Sequence, residues 1–302
     1  MELISKIVKY IFNPDYHFMV NASKGLYNNW PDEKYLNKMC DVRLGYKLNL
    51  ENPRTFNEKL QWLKLHNRKS EYITMVDKYD VKKYVADIIG EEYIIPTLGV
   101  WNSFEEIDFD KLPNQFVLKC THDSGGLVIC KDKKELDLIK AEKKITKSLH
   151  NNYYFYGREW PYKNVKPRII AEPYMEDNKA HELIDYKLMC FNGEVKCSFT
   201  CSERFSQEGL KVTFFDNDWK VMPFERHYPS SKNPPKKPLN FNKMLEFATK
   251  LSRGIPFVRV DFYEINGLLY FGELTFFPGN GFEEFTPLEW DYKMGSWLKL
   301  PK

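Results

Sequence analysis

Two short stretches near the end of the chain decide its fold: Arg259-Val260-Asp261-Phe262-Tyr263 and Phe271-Gly272-Glu273-Leu274-Thr275. The pair Asn266-Gly267 lies between them, and an Asn-Gly pair between two strand-like stretches predicts a β-hairpin. Side chains alternate along a strand, so Asp261 shares a face with Arg259. By the same rule Glu273 shares a face with Thr275. The register set by the turn brings Asp261 within about two residues of Glu273. We therefore expect two carboxylates to face each other across this hairpin.

A facing pair of carboxylates needs a positive charge between its members. Mg²⁺ is the usual solution in proteins, and Arg259 beside the pair could neutralise phosphate oxygens. The residues Phe277-Pro278-Gly279-Asn280-Gly281 follow, and they predict a sharp turn whose backbone can approach a ligand closely. Taken alone, the hairpin is explained equally well as a solvated strand face with ordinary charged residues. The glycine-rich turn favours the ligand site.

The composition of the 302-residue chain is that of an ordinary folded protein, with 43% hydrophobic and 29% charged residues. Its net charge is +3, and its basic clusters, 131–134 and 232–237, are short. Nucleic-acid binders concentrate positive charge, so we expect no nucleic-acid partner. The six cysteines contain no Cys-x-x-Cys pair, which predicts buried free thiols in a reducing, cytoplasmic setting. No apolar run approaches the roughly 20 residues that span a bilayer, although the first dozen residues could lie on a membrane surface.

The order of the predicted elements indicates a mixed fold. Helices are predicted within 1–70, with one starting at Pro31 and one after the capping box Thr55-Phe56-Asn57-Glu58, and over 77–89, 133–149 and 241–251. Strands are predicted over 93–100, 116–120, 127–130, 169–175, 186–191, 195–201, 257–264 and 268–275. Without a strict βαβ repeat, this order predicts an α+β fold with antiparallel sheets. We expect a helical region over 1–75, a first lobe over 76–170 and a second lobe over 171–302.

The hairpin and its turn resemble the metal-binding hairpin of ATP-grasp ligases. In that superfamily the second strand usually reads Glu-x-Asn, whereas this chain has Glu273 followed by Thr275. The resemblance implies an ATP-grasp fold in which two antiparallel lobes clasp ATP. It also implies that Asp261, Glu273 and Thr275 bind Mg²⁺, with Asn280 as a second candidate for the third ligand.

Upstream motifs resemble the nucleotide-binding parts of the same superfamily. Lys119 on a strand, followed by the loop Ser124-Gly125-Gly126, resembles the lysine and glycine loop that cover the ATP phosphates. Lys78 and Lys187 resemble further phosphate-contacting lysines. Glu172 and the backbone of Tyr174-Met175 resemble the linker that binds adenine and ribose. The competing explanation for the glycine loop is a plain β-turn. The competing explanation for Lys187 is a surface charge pair on a strand.

The chain is most similar to the TupA-like ATP-grasp group, which occurs in bacterial surface-polysaccharide gene clusters. The motifs that carry this resemblance are Pro53-x-Thr55-Phe56-Asn57-Glu58-Lys59, Asp77-Lys78-Tyr79, His122-Asp123-Ser124-Gly125-Gly126, Glu172-Pro173-Tyr174, Asp185-Tyr186-Lys187, Arg259-Val260-Asp261-Phe262-Tyr263 and Gly272-Glu273-Leu274-Thr275-Phe276. The resemblance implies a ligase that joins an amine to a sugar carboxylate or amino acid of a capsular, O-antigen or cell-wall polymer. The carboxylate would attack the γ-phosphate of Mg-ATP, and the amine would then displace phosphate from the acylphosphate. Arg259 and Lys187 are the expected catalytic cations.

Two other functions stay open on the sequence. Some TupA-like members are catalogued as glycosyltransferases, and a non-catalytic ATP-binding scaffold is a third possibility. The expected partner is a sugar or amino-acid substrate, with a lipid-linked or nucleotide-linked glycan as a variant, and a contact with the inner face of the membrane stays open. Candidate acceptor residues are His122, Arg204, Arg226, His227, Tyr153-Tyr154-Phe155-Tyr156 and Trp160, although structural roles explain each of them as well.

Overall fold

The structure, a computed structural model, describes residues 2–177, 183–203 and 206–301. The α-helices within these ranges are α1 Glu2–Phe12, α2 Pro14–Ser23, α3 Asp32–Leu44, α4 Phe56–His66, α5 Glu71–Val76, α6 Asp80–Ile89, α7 Leu138–Leu149, α8 Tyr154–Gly157, α9 Phe241–Leu251 and α10 Glu289–Trp297. The strands there are β1 Gly99–Trp101, β2 Phe116–Cys120, β3 Leu127–Cys130, β4 Ile169–Pro173, β5 Asp185–Phe191, β6 Glu194–Ser202, β7 Lys211–Phe215, β8 Glu225–Arg226, β9 Phe257–Ile265, β10 Leu268–Thr275 and β11 Phe285–Thr286.

The first part of the chain is helical, as predicted, and two of its helices, α2 and α4, begin at a side-chain cap. At the start of α4 the Thr55 hydroxyl accepts from the Glu58 N–H at 3.1 Å, and the Glu58 carboxylate accepts from the Thr55 N–H at 3.0 Å. This confirms the predicted capping box. Helix α6 begins at Asp80 rather than at Asp77, because the Asp77 carboxylate accepts from the N–H groups of Tyr79 and Asp80 at 2.8 and 3.0 Å.

Four antiparallel strands form the first sheet in the order β1-β4-β2-β3. The predicted hairpin of β2 and β3 is confirmed. The predicted strand over 93–100 is wrong for most of its length, since only 99–101 is a strand and 91–93 is a 3-10 helix. Pro96 lies between them and has no N–H to donate to a sheet. Helix α7 starts at Leu138, because the Asp137 carboxylate caps it, and packs Ile145 on the sheet.

Five antiparallel strands form the second sheet in the order β10-β9-β5-β6-β7. Both predicted Asn-Gly hairpins, β5–β6 and β9–β10, are confirmed. Every residue of β5 is buried, because this strand is central and both faces of the sheet are covered. Strands β8 and β11 form a separate two-stranded sheet, which was not predicted.

The hydrophobic core has three parts, and the largest joins the second sheet to helices α4, α6, α9 and α10. A second part lies under the first sheet, and a third packs α2 and α3 against Phe282. All six cysteines are buried, and none of them forms a disulfide. In the described ranges no helix combines the length and the apolar character that crossing a membrane requires. These helices and antiparallel sheets confirm the α+β class. The lobe boundaries stay a prediction, with β4 running across the expected division after residue 170.

Candidate nucleotide and metal site

A cavity of about 430 Å³ lies between the two sheets. The first sheet contributes the loop 123–126, and the second contributes Arg259 and the end of β10. Helix α6 and the segment 153–162 line the remaining sides, and the turn 277–280 completes them. The hairpin and the glycine loop, which are far apart in the sequence, therefore meet in one space.

The two carboxylates of the hairpin lie where the predicted register places them. Strands β9 and β10 pair regularly until a β-bulge at Gly272 and Glu273, which stand opposite Asp261. Arg259 lies between the carboxylates: its Nε donates to Asp261 Oδ1 at 2.6 Å, and its Nη2 donates to Glu273 Oε1 at 2.7 Å. The same Nη2 donates to Thr275 Oγ1 at 2.9 Å. One guanidinium thus contacts all three predicted metal ligands.

Lys187 and Asp261 form a buried ion pair next to Arg259. Lys187 stands directly opposite Asp261 in the β5–β9 register, and its ammonium donates to Asp261 Oδ2. Asp261 is only 1% exposed, and neither residue lines the cavity. Burial lowers the pKa of Lys187, but the negative charges of Asp261, Asp185 and Glu273 together outweigh burial, so the net shift is upward. The structure places Lys187 beside a carboxylate, and its contact with phosphate stays a prediction.

Glu273 faces the cavity with 43% of its side chain exposed. Desolvation inside the cavity opposes its ionisation, but the charges of Arg259, Lys187 and Lys78 outweigh that cost and lower its pKa to about 2. Glu273 is therefore a carboxylate at neutral pH, and one of its oxygens is free of hydrogen bonds within the described parts of the chain. This is the oxygen that a ligand in the cavity can reach.

The donor set around Arg259 fits Mg²⁺ in its chemistry. Two carboxylates and a hydroxyl are hard oxygen donors, which this ion prefers. Thr275 Oγ1 donates to Glu273 Oε1 at 3.1 Å, so the hydroxyl belongs to the same cluster. The Asn280 side chain instead packs against Gly157. In the described residues, no three His, Cys, Asp or Glu side chains are grouped to hold a metal. The site therefore has two carboxylates, and Arg259 supplies the positive charge between them.

Two lysines and the glycine loop form the opposite wall of the cavity. Lys78 donates to the Asp123 carbonyl at the start of the loop, and burial lowers the pKa of Lys78 although Glu273 and Asp123 act in the other direction. Ser124, Gly125 and Gly126 line the cavity together with Lys119. The structure thus brings every predicted phosphate-binding residue of this loop to the cavity, while their contact with ATP stays a prediction.

The two loop glycines are expected to respond differently to alanine. A Cβ on Gly126 would lie 2.5 Å from Ser148 Oγ and 2.7 Å from Cys120 Cβ, whereas nothing lies within 4 Å of a Cβ on Gly125. We expect Gly126→Ala to destabilise the protein by about 2 kcal/mol because buried Cys120 must move, and Gly125→Ala to change stability by less than about 0.5 kcal/mol. Urea unfolding of both variants measures this difference. Equal stabilities would contradict the loop geometry.

Glu172 lies at the edge of the cavity between two lysines. Its Oε2 accepts from Lys119 Nζ at 2.5 Å and its Oε1 from Lys82 Nζ at 2.6 Å. Burial opposes ionisation of Glu172, but both lysines lower its pKa below the usual value. Tyr174 and Met175 are not among the described residues that line the cavity. The adenine-binding roles of Glu172, Tyr174 and Met175 stay predictions.

Most of the predicted acceptor residues in the described chain do not line the cavity. His122 is buried against the carbonyls of Ser148 and Asn151. Arg226 donates to the Pro278 carbonyl at 2.8 Å, and His227 pairs with Glu284 at the surface. None of these three histidine and arginine side chains lines the cavity, and Arg204 lies outside the described residues. Of the aromatic candidates, Tyr153 lines the cavity. The Tyr154 hydroxyl instead donates to the Asp32 carboxylate at 2.5 Å, and neither of these two residues lines the cavity.

Several lining residues escaped the sequence analysis. Lys82 follows Lys78 by four residues, a spacing that places both on one face of the helix predicted over 77–89, although the observed helix begins only at Asp80. Tyr263 belongs to the quoted hairpin and was left without a role. Glu159 and Tyr162 lie in an irregular segment with no periodicity, so no sequence signal marked them.

Two antiparallel sheets that enclose a cavity lined by lysines, a glycine loop and a carboxylate hairpin define an ATP-grasp protein. The chain belongs to the TupA-like ATP-grasp family, whose model matches residues 58–299. This match covers most of the chain and includes every predicted site residue. A search of curated proteins gives no match.

Solved structures of ATP-grasp ligases are distantly similar. D-alanine–D-alanine ligase from Bacillus anthracis complexed with ATP is 17% identical, with a TM-score of 0.40, over 67% of this chain and 54% of that one. The Helicobacter pylori enzyme is 18% identical, with a TM-score of 0.42, over 81% of this chain and 69% of that one. The ligase PsnB with its minimal precursor, Mg and ADP is 11% identical, with a TM-score of 0.41, over 87% and 69%. This chain therefore spans little more than half of the first ligase, and the family assignment rests on the family model alone.

Proposed function

We propose that this protein is an ATP-dependent carboxylate–amine ligase that acts in the synthesis of a surface polysaccharide. The observation that carries the ligase proposal is the cavity in which the Glu273 carboxylate and Arg259 face the glycine loop with Lys78 and Lys119. Positive charges on both walls suit a triphosphate, and exposed backbone suits its oxygens. The sugar carboxylate or amino-acid substrate, and the capsular, O-antigen or cell-wall polymer, rest on the family resemblance.

The proposed reaction has two steps. An oxygen of the substrate carboxylate attacks the γ-phosphorus, ADP leaves with the electron pair of the broken P–O bond, and an acylphosphate remains. The amine nitrogen then attacks the acyl carbon, and phosphate leaves as the amide forms. Asp261, Glu273 and Thr275 would hold Mg²⁺, which supplies charge that offsets the phosphate oxygens.

The protein's own contribution to the first step is charge and position. Phosphoryl transfer spreads negative charge over the outer oxygens, so fixed cations stabilise its transition state. Lys78 and Lys119 stand on the loop side and Arg259 on the hairpin side of one cavity. The Lys187 ammonium stabilises the Asp261 carboxylate, and that carboxylate in turn holds Arg259 in place. Enclosure between the sheets protects an acylphosphate from water.

The direct test is the identity of the released nucleotide. We expect ADP when the protein is given Mg-ATP with glucuronate, galacturonate or glutamate, and a hydroxamate when hydroxylamine is the nucleophile, because hydroxylamine traps acylphosphates. Chromatography of the nucleotides and the iron assay for hydroxamates measure both products. Release of UDP or GDP from a nucleotide sugar, without ADP, would contradict the ligase and identify the glycosyltransferase alternative. Binding of Mg-ATP without turnover on any of these carboxylates would contradict the proposed substrate class.

A further inference from the structure

Glu159 is a buried carboxylate that opens only into the cavity. It is 3% exposed, and it lines the cavity between α8 and the 3-10 helix Trp160–Asn164. The residue before it, Arg158, has a left-handed backbone with φ of 55°. Arg158 donates to the Tyr27 carbonyl at 2.7 Å in the N-terminal helices. Arg158 therefore packs against the N-terminal helical region, whereas Glu159 lines the cavity.

The carboxylate of Glu159 has no protein partner among the described residues. Lys64 is the opposite charge that acts most strongly on Glu159, and Lys64 is itself 0% exposed. The Lys64 ammonium, however, donates to Gln61 Oε1 at 2.8 Å and to the Asn280 carbonyl at 2.7 Å. It also lies 4.8 Å from the Phe282 ring centroid. Because Lys64 is committed elsewhere, no contact within the described residues neutralises the Glu159 carboxylate.

The charges facing Glu159 come from three elements. Burial raises its pKa to about 7, while Lys64 of α4 and Arg259 of β9 act to lower it, and Glu273 of β10 acts to raise it. Tyr162, which packs beside it, has its own pKa raised by burial and by Glu159, so it stays a neutral phenol. A carboxyl with this pKa both accepts and releases a proton near neutral pH.

The walls around Glu159 suit a cation. Tyr153 and Tyr162 both line the cavity, with ring centroids 4.9 Å apart, and aromatic faces attract ammonium groups. Asn280 lines the same cavity, and its side-chain oxygen is buried without a hydrogen-bond partner in the described chain. That oxygen lies 1.8 Å from where a Cβ on Gly157 would stand, so this glycine makes room for it. A carboxylate, an amide oxygen and two rings together can hold a primary ammonium.

We propose that Glu159 and Asn280 bind the amino group of the second substrate, a primary amine, and that Glu159 takes the proton that the nitrogen must lose. This inference rests on the proposed ligase function. The ammonium gives one proton to the Glu159 carboxylate, and the freed lone pair forms the C–N bond with the acyl carbon. The C–O bond to phosphate breaks, phosphate keeps the electron pair, and the second nitrogen proton passes to that phosphate. The phosphate-binding lysines thus serve acylphosphate formation, and Glu159 serves amide formation.

The test compares two amines that differ in charge. Ethanolamine is an ammonium near pH 7 and must lose a proton, whereas hydroxylamine is mostly neutral there. With the carboxylate that supports ADP release, we expect Glu159→Gln to lower the ratio of the ethanolamine rate to the hydroxylamine rate at least tenfold, mainly by raising KM for ethanolamine. Glu159→Asp keeps the charge and should restore part of the ratio. Glu246→Gln on the surface of α9 is the matched control and should not alter it.

A binding measurement separates this inference from the ligase proposal. Saturation-transfer NMR with the non-hydrolysable nucleotide AMPPNP should detect ethanolamine on the wild-type protein, but not the neutral isostere ethylene glycol, and Glu159→Gln should abolish the signal. An unchanged ethanolamine signal in Glu159→Gln, or an unchanged rate ratio, would overturn the ammonium site while leaving the ligase intact. Absence of any hydroxamate from the wild-type protein would overturn the ligase instead, and the NMR signal would then decide the ammonium site.

Discussion

Replacing Glu273 by glutamine is expected to lower Mg-ATP turnover by about 10² to 10³-fold. The carboxylate faces the cavity, carries a full negative charge at neutral pH because its pKa is about 2, and shares Arg259 with Asp261. The amide keeps the shape but is neutral, so a divalent cation would lose one of two carboxylate ligands. Arg259 and Lys187 would also face Asp261 alone. Coupled assays of ADP release and calorimetry of Mg-AMPPNP binding measure the effect.

The folded state should tolerate this change. Glu273 is half-exposed to the cavity, and Thr275 Oγ1 can still donate to the amide oxygen of the glutamine. The control is again Glu246→Gln, since Glu246 pairs only with Lys250 on the surface of α9 and should leave turnover within a factor of about two. If Glu273→Gln bound and turned over Mg-ATP like the wild type, the metal assignment would be wrong.

Replacing Gly295 by alanine is expected to destabilise the protein by about 3 to 5 kcal/mol. Gly295 lies on α10 where this helix crosses the start of α4. A Cβ there would lie 2.1 Å from the Arg54 carbonyl oxygen and 2.8 Å from the Thr55 carbonyl carbon. Both are backbone atoms, so no side-chain rotation relieves the clash.

Helix α10 cannot simply move away from α4. The Lys59 ammonium donates to the carbonyls of Gly295 and Leu298 at 2.7 Å each. The buried Asp291 carboxylate accepts from the Asn57 N–H and from its side-chain amide at 2.9 Å each. A shift of α10 would break these bonds and leave a buried carboxylate unpaired, which is costly.

Urea unfolding measures the effect of Gly295→Ala against a control on the same helix. Ser296 is the next residue, it is exposed, and its hydroxyl donates only to the Lys293 carbonyl at 2.6 Å. Ser296→Ala is therefore expected to change the free energy of unfolding by less than about 0.5 kcal/mol. If the two variants had equal stability, the close packing of α10 on α4 would be wrong.

Much of the secondary structure followed from local sequence patterns. The capping box at Thr55 and the Asn-Gly turns at 192–193 and 266–267 depend on neighbours within a few residues, and the structure has all three. The strand predicted over 93–100 is wrong for most of its length because Pro96 lacks the N–H that a sheet requires, which is itself a local signal. Helix α10 was not predicted, and its packing on the distant helix α4 stabilises it.

The candidate site was also predicted in part from local sequence and decided in part by the tertiary structure. The sequence alone determined that Asp261 and Glu273 share a hairpin with Arg259, because alternation and a two-residue turn set those positions. Only the tertiary structure decided which charges pair. Arg259 bridges the carboxylates, Lys187 lies behind Asp261, and Glu172 is held between Lys82 and Lys119. These partners come from different strands and helices, and attraction between charges depends on their distance in space, which the residue pattern of a single strand or helix does not contain. Glu159, which has no partner in the part of the chain that the structure describes, is the clearest case, since only the packed structure reveals that Lys64 is bound elsewhere.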